Sequence, residues 1–195
     1  MNRSGDDNRS VRNTKRRLKD SLLTLLEQKP VNEISVKELT ELADVNRGTF
    51  YFHYQDIFDL LRKTEDEFFE QFDRTLNEKN LKVDSSRLFP YLSTVFSFLG
   101  ENRNFCRIML GPHGDKQFVD RVKNRVDAQC SHFWNLLSLD ADDQRYSMYN
   151  TFIINGCVGL IQKWVEEDSD MTVESVTELT ATIILASVGP CIQDE

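Results

Sequence analysis

Between Ala43 and Tyr54 the chain reads Ala-Asp-Val-Asn-Arg-Gly-Thr-Phe-Tyr-Phe-His-Tyr. These side chains suit the chemistry of a nucleic-acid duplex. Arg47 offers a planar fork that bonds the O6/N7 edge of guanine, a contact worth about 1–3 kcal/mol of discrimination. Gly48 lets backbone approach closely, because it has no side chain. Thr49 presents a hydroxyl to bases and a methyl to thymine. Tyr51 and His53 can donate to phosphates, which fixes register without reading sequence. Elsewhere the chain has no Gly-rich phosphate loop, nucleophile elbow or paired catalytic carboxylates. The expectation is therefore not an enzyme, with no cofactor and no metal site.

The elements that must hold these residues follow from local rules. A first helix is expected from about Val11 to Gln28, with Leu18, Leu22, Leu25 and Leu26 on one stripe and Pro30 closing it. Ser35-Val36-Lys37-Glu38 has the spacing of a capping box: the serine oxygen accepts from the Glu38 amide while Glu38 reaches back. Val36, Leu39 and Ala43 then face inward. A short turn over 43–46 carries a buried Val45, and Asn46 caps a brief helix from Arg47 to about Tyr54. Phe50 and Tyr54, four apart, face the core, which leaves Arg47, Gly48, Thr49, Tyr51 and Phe52 wholly or partly outward. So small a buried face cannot hold a helix alone, and the three helices must fold as one unit. A second helix crossing the backbone while the third enters the major groove is the helix-turn-helix arrangement.

Net charge is −8, an odd sign for a nucleic-acid binder until it is divided along the chain. Residues 1–63 hold 12 Lys/Arg against 10 Asp/Glu, and the remaining 132 hold 12 against 22. From Asn8 to Lys19 there are Arg9, Arg12, Lys15, Arg16, Arg17 and Lys19 without one acid. A basic first helix can approach phosphates while an acidic body stays in solvent. Residues 1–10 alone read as a disordered leader.

Beyond Asp56, a potential cap, a longer helix is expected to about Lys79 on a stripe of Ile57, Leu61, Thr64, Phe68 and Phe72, then a loop over 80–86. Helices follow at about 87–102, 115–137, 141–167 and 172–188, with a turn at Leu110-Gly111-Pro112-His113-Gly114. The fold class is all-α. We divide the chain into a DNA-binding domain over residues 11–71 and a C-terminal regulatory and dimerisation domain over 72–195. The start of the chain is polar and basic, and the longest nearly apolar stretch, Thr151 to Ile161, is too short to cross a bilayer. A cytoplasmic protein without membrane contact is expected. The four cysteines are far apart and read as reduced thiols, with a redox sensor as the alternative.

The stretch from Ala43 to Tyr54 resembles the signature of the TetR family of transcriptional regulators, in which a small-residue turn precedes a short helix ending in Tyr-x-His-aromatic. The resemblance covers roughly residues 11–60. It implies that Ser35, Lys37, Arg47, Gly48, Thr49, Tyr51, Phe52 and His53 occupy DNA-contact positions. Lys15, Arg16 and Arg17 would add phosphate contacts, because Ile57 stands where the family commonly places a phosphate-binding lysine. The body resembles the TetR-type C-terminal domain of the Firmicutes kind at Leu110 to Asp115 and at Asn155-Gly156-Cys157-Val158-Gly159-Leu160 followed by Trp164. That implies a homodimer through the last two helices, packed as a four-helix bundle.

The residues agree with such a dimer. Gly156 and Gly159 permit close helix approach, Trp164 can anchor an interface, and Val176, Ile183 and Ile184 share one face of the last helix. Packing of the same positions within one chain is the competing reading. Phe98, Phe105, Phe133 and Tyr149 are candidates for an effector pocket, or else ordinary core. The expected function is sequence-specific binding of double-stranded DNA at a palindromic operator, most often as a repressor, under a small-molecule effector. The alternative is a regulator or coactivator controlled by a protein partner.

Overall fold

The computed structural model describes residues 3–78, 88–136, 144–166 and 170–192, with side chains described over 9–78, 88–128, 147–166 and 170–187. Among the described residues every regular element is helical: α1 Arg3–Leu26, α2 Val36–Leu42, α3 Arg47–His53, α4 Ile57–Glu78, α5 Leu88–Glu101, α6 Arg103–Met109, α7 Lys116–Leu136, α8 Gln144–Glu166 and α9 Val173–Ile192. One 3-10 turn, Val31–Glu33, follows Pro30. The loop expected over 80–86 lies outside the described residues.

Two compact units emerge, Met1–Glu70 with Pro112–Asp115, and Gln71–Gly111 with Lys116–Glu195. The core of the first is set by periodicity. Leu18, Leu22 and Leu26 of α1 are at most 2% exposed, as are Leu39, Phe50 and Leu60 on the helices that follow. Each such side chain contributes about 1.5–3 kcal/mol by leaving water. The stripe expected on α4 is buried at Ile57, Leu61, Thr64 and Phe68, while Phe72 is half-buried. In the second unit α5 packs on α9, α7 on α8, and α8 on both α6 and α9. Phe96, Phe118, Met109, Val165 and Val176 are its most deeply buried large side chains.

Two expectations are corrected. The leader is helical from Arg3 onward, because extending an established helix costs far less than nucleating one. The seven-residue α6 was not anticipated: it is too short for a periodic signal, and burial of Cys106, Ile108 and Met109 holds it. Its exit depends on Gly111, where a Cβ would lie 2.7 Å from the Arg107 carbonyl oxygen. Backbone cannot yield as a side-chain tip does. Gly111→Ala is therefore expected to lower stability by about 1–3 kcal/mol in urea unfolding, whereas a shift within error would show that the turn relaxes freely.

Candidate nucleic-acid interface

Helix α2 starts where its sequence says it should. Ser35 is extended (φ −95°, ψ 150°) and its Oγ accepts from the Glu38 amide at 3.2 Å. The reciprocal half of the capping box is not made. The Glu38 carboxylate instead takes Lys29 Nζ at 2.7 and 2.8 Å, since a charge-assisted bond outcompetes one to a neutral amide.

The turn between α2 and α3 passes through Asp44, whose φ of 48° lies in the left-handed region that a short polar side chain tolerates better than most. Arg17 spans from α1 to bond both the Asp44 carbonyl at 2.8 Å and its Oδ2 at 2.6 Å. In this structure the guanidinium is held on the turn, with the Arg17 side chain still 45% exposed. Val45 is only half-buried, and its amide reaches the Thr40 carbonyl at 3.0 Å.

Helix α3 opens on Asn46, whose Oδ1 accepts from the Gly48 amide at 2.8 Å. A Cβ at Gly48 would sit 3.3 Å from that same oxygen, so the glycine leaves room for the cap. Phe50 and Tyr54 are buried. Arg47, Gly48, Tyr51 and Phe52 face solvent, with Phe52 81% exposed, and Thr49 and His53 are half-buried. Tyr51, 59% exposed, adjoins Phe52, so two aromatic side chains lie side by side on the outer face. Ser35, Lys37 and Arg16 are exposed, and Lys15 is half-buried. Lys37 lies 4.0 Å from Glu41, a surface pair of little weight.

Burial, then Lys15 and Lys63, pulls the His53 pKa below its ordinary value. The ring is accordingly neutral near pH 7, with one N–H to donate. Ile57 is buried at 4% exposure and makes no anchor. The residues missed by sequence reasoning are Asp59 and Lys63. Asp56 Oδ1 accepts from the Asp59 amide at 2.7 Å, Asp59 Oδ2 accepts from the Gln55 amide at 3.0 Å, and Lys63 joins the same oxygen at 2.8 Å. The Lys63 ammonium and the Gln55 amide hold the Asp59 carboxyl below the usual carboxylate range. Their i, i+4 spacing was the available signal.

In the second unit the candidate residues separate. Gly156 and Gly159 are exposed on α8, with no atom within 4 Å of a Cβ built at either, and Ile183 is 38% exposed. Phe152, Leu160, Ile183 and Ile184 line an apolar cavity of about 320 Å³ between α8 and α9. Trp164 and Val176 are corrected. At 4% and 2% exposed they lie inside their own unit and offer no surface to a partner. Ile184 is nearly covered as well, at 9%.

Of the effector-pocket candidates, three have described side chains. Phe98 is buried with its ring edge-on to Phe72 at 5.3 Å, and Phe105 meets Phe118 at 5.6 Å. Tyr149 is half-buried, and the Phe133 side chain lies outside the described residues. Burial pushes the Cys106 thiol up to about 12 and the Cys157 thiol up to about 11, so neither supplies the thiolate that a redox sensor needs. The Cys130 and Cys191 side chains lie outside the described residues.

A capped helix, a tight turn and a second short helix with arginine and aromatics facing outward define a helix-turn-helix DNA-binding module, and with it a transcriptional regulator. Residues 86–186 match a family model described as a transcriptional regulator C-terminal region, and the chain belongs to the TetR family of transcriptional regulators. It is 26% identical over 165 residues to an uncharacterized HTH-type transcriptional regulator, YxbF, of Bacillus subtilis strain 168. That match takes in 83% of this chain but only 42% of that protein's length.

Its fold is shared with a TetR transcriptional regulator from Streptococcus agalactiae 2603V, at TM-score 0.66 and 19% identity, over 93% of this chain and 98% of that one. It is shared also with FadR from Bacillus subtilis, solved in complex with stearoyl-CoA, at TM-score 0.64 and 13% identity, over 88% and 97%. Among the described residues no helix is long and apolar enough to cross a membrane.

Proposed function

We propose that the chain acts as a homodimeric repressor on a palindromic operator in the cytoplasm, with residues 11–71 reading DNA and 72–195 dimerising and sensing an effector. The observation that carries this reading is the outer face of α3. Its cap and its core side are both satisfied internally, yet Arg47, Tyr51 and Phe52 face solvent. Base readout falls to Arg47, Gly48 and Thr49, and phosphate anchoring to Lys15, Arg16, Ser35, Lys37, Tyr51 and His53, with Phe52 against the groove wall.

Dimerisation is supported by the open glycines of α8 beside exposed Phe152 and Ile183. Two identical recognition helices then read inverted half-sites. An effector would favour the dimer geometry whose helix spacing mismatches the operator. The fold neighbour solved with stearoyl-CoA lends support to a small-molecule effector.

Selection from a random duplex pool is expected to return a two-fold symmetric site. Arg47→Ala should then bind that site roughly tenfold or more weakly at fixed salt and lose preference at one position per half-site. Unchanged affinity and preference would remove Arg47 from readout. A pool returning no shared sequence would remove specific DNA binding altogether.

A further inference from the structure

The exit of the recognition helix is tied to α4 by more than packing. Helix α3 ends at His53, and four carbonyls at such an end lack partners within the helix. The Tyr54 amide satisfies the Phe50 carbonyl at 2.9 Å. Lys63 Nζ, ten residues further on, donates to the His53 carbonyl at 3.2 Å and to Asp59 Oδ2 at 2.8 Å. The same ammonium lies 5.2 Å from the centroid of the buried Tyr54 ring. A cation there complements the negative end of the helix dipole.

Asp59, whose side chain is 9% exposed, completes the link by accepting from the Gln55 amide at 3.0 Å. Arg62 lies 3.5 Å from its other oxygen. One buried carboxylate and one ammonium thus reach three consecutive residues, His53, Tyr54 and Gln55, where the chain leaves α3.

We infer that Asp59 and Lys63 are positioning residues, which fix the C-terminal end of α3 on α4 and so hold Tyr51, Phe52 and His53 in register with DNA without touching it. This rests on the DNA-binding reading above. The competing role for Lys63 is direct phosphate contact. The geometry argues against it, because the ammonium already donates to the His53 carbonyl and to Asp59 Oδ2 and lies 5.2 Å from the Tyr54 ring centroid. The two roles also differ in the sign of one effect. Asp59→Asn keeps an acceptor for Gln55 but weakens the hold on Lys63. A positioning pair then loses operator affinity, whereas a phosphate-binding lysine released from its carboxylate gains it.

The test has an arm without DNA and an arm with it. In the full chain carrying Lys63→Met, amide exchange at Tyr54 and Gln55 is expected to quicken about tenfold while the middle of α1 stays protected. Unchanged exchange at those two amides overturns the inference. The second arm uses the duplex selected by the wild-type chain and a scrambled duplex. Both Lys63→Met and Asp59→Asn should weaken the selected duplex about tenfold and the scrambled one by clearly less, and Lys63→Arg should keep part of the affinity that Lys63→Met loses.

The slope of log affinity against log salt should stay the same, whereas a lost phosphate contact flattens it by about 0.9. A flattened slope with tighter binding by Asp59→Asn overturns positioning in favour of direct contact. An equal loss on both duplexes also overturns it, because a smaller folded fraction weakens all binding alike. If the wild-type chain selects no duplex, the DNA reading fails while the exchange arm still decides the link between α3 and α4.

Discussion

Trp164→Ala is expected to lower the free energy of unfolding by about 3–5 kcal/mol, the range for removing a buried large aromatic and leaving part of its cavity empty. Burial and three side-chain contacts set the size of the effect. The indole is 4% exposed. Its ring meets Phe96 edge-on at 5.5 Å, and the Arg103 guanidinium sits 5.2 Å from its centroid. Its Nε1–H donates to the Met171 carbonyl at 3.1 Å, which ties the end of α8 to the approach to α9. Arg103 also donates to the Trp164 carbonyl at 2.6 Å, a bond that survives truncation but loses the ring that orients it.

For a chain of this size the loss corresponds to a fall in melting temperature of roughly 6–20 °C. Urea unfolding beside sedimentation of the same variant separates the two roles that a tryptophan at this position can have. A core residue costs stability whatever the assembly state. An interface anchor would give a folded monomer with a nearly unchanged midpoint, and that outcome would reverse the placement of Trp164 in the core.

Phe50→Ala should cost a similar 3–5 kcal/mol, in the other unit and with a different consequence. Phe50 is fully buried, stacks edge-on with Tyr51 at 5.4 Å and packs tilted against Tyr54 at 5.7 Å. Helix α3 has only seven residues, far below the length at which a helix holds by its own hydrogen bonds. With total stability of about 5–15 kcal/mol to draw on, the loss releases α3 before it unfolds the rest. The expected result is early exchange of the α3 amides and loss of binding to the selected duplex, with the second unit's unfolding transition little changed. Arg47→Ala is the contrast, since it removes a solvent-facing side chain and should leave stability within about 0.5 kcal/mol. If Phe50→Ala retained full affinity, α3 would not be the element that reads DNA.

The sequence carried the module itself. Ser35 to Glu38, Asn46 to Gly48 and Asp56 to Asp59 are all present as hydrogen bonds, because a cap and its amide lie within three residues and no distant group is needed to form them. The leucine stripe of α1 and the inward Phe50 and Tyr54 followed from periodicity for the same local reason. The all-helical class and the TetR family were legible there too.

What the tertiary structure alone decided is how residues far apart in the chain share out their partners. Lys29 takes the carboxylate that the capping box would have used, and Arg17 crosses 27 positions to hold Asp44. Lys63 turns back to the end of α3. On α9 the apolar face divides: Val176, Thr180 and Ile184 are buried in their own unit, while Leu179 and Ile183 remain outside. Periodicity states that a helix has an apolar face, but not which neighbour covers it. An ion pair between distant elements forms only where folding has brought both charges together. For that reason the helix-turn-helix could be read from its residues, while Trp164 as core and Lys63 as a tie to the recognition helix could not.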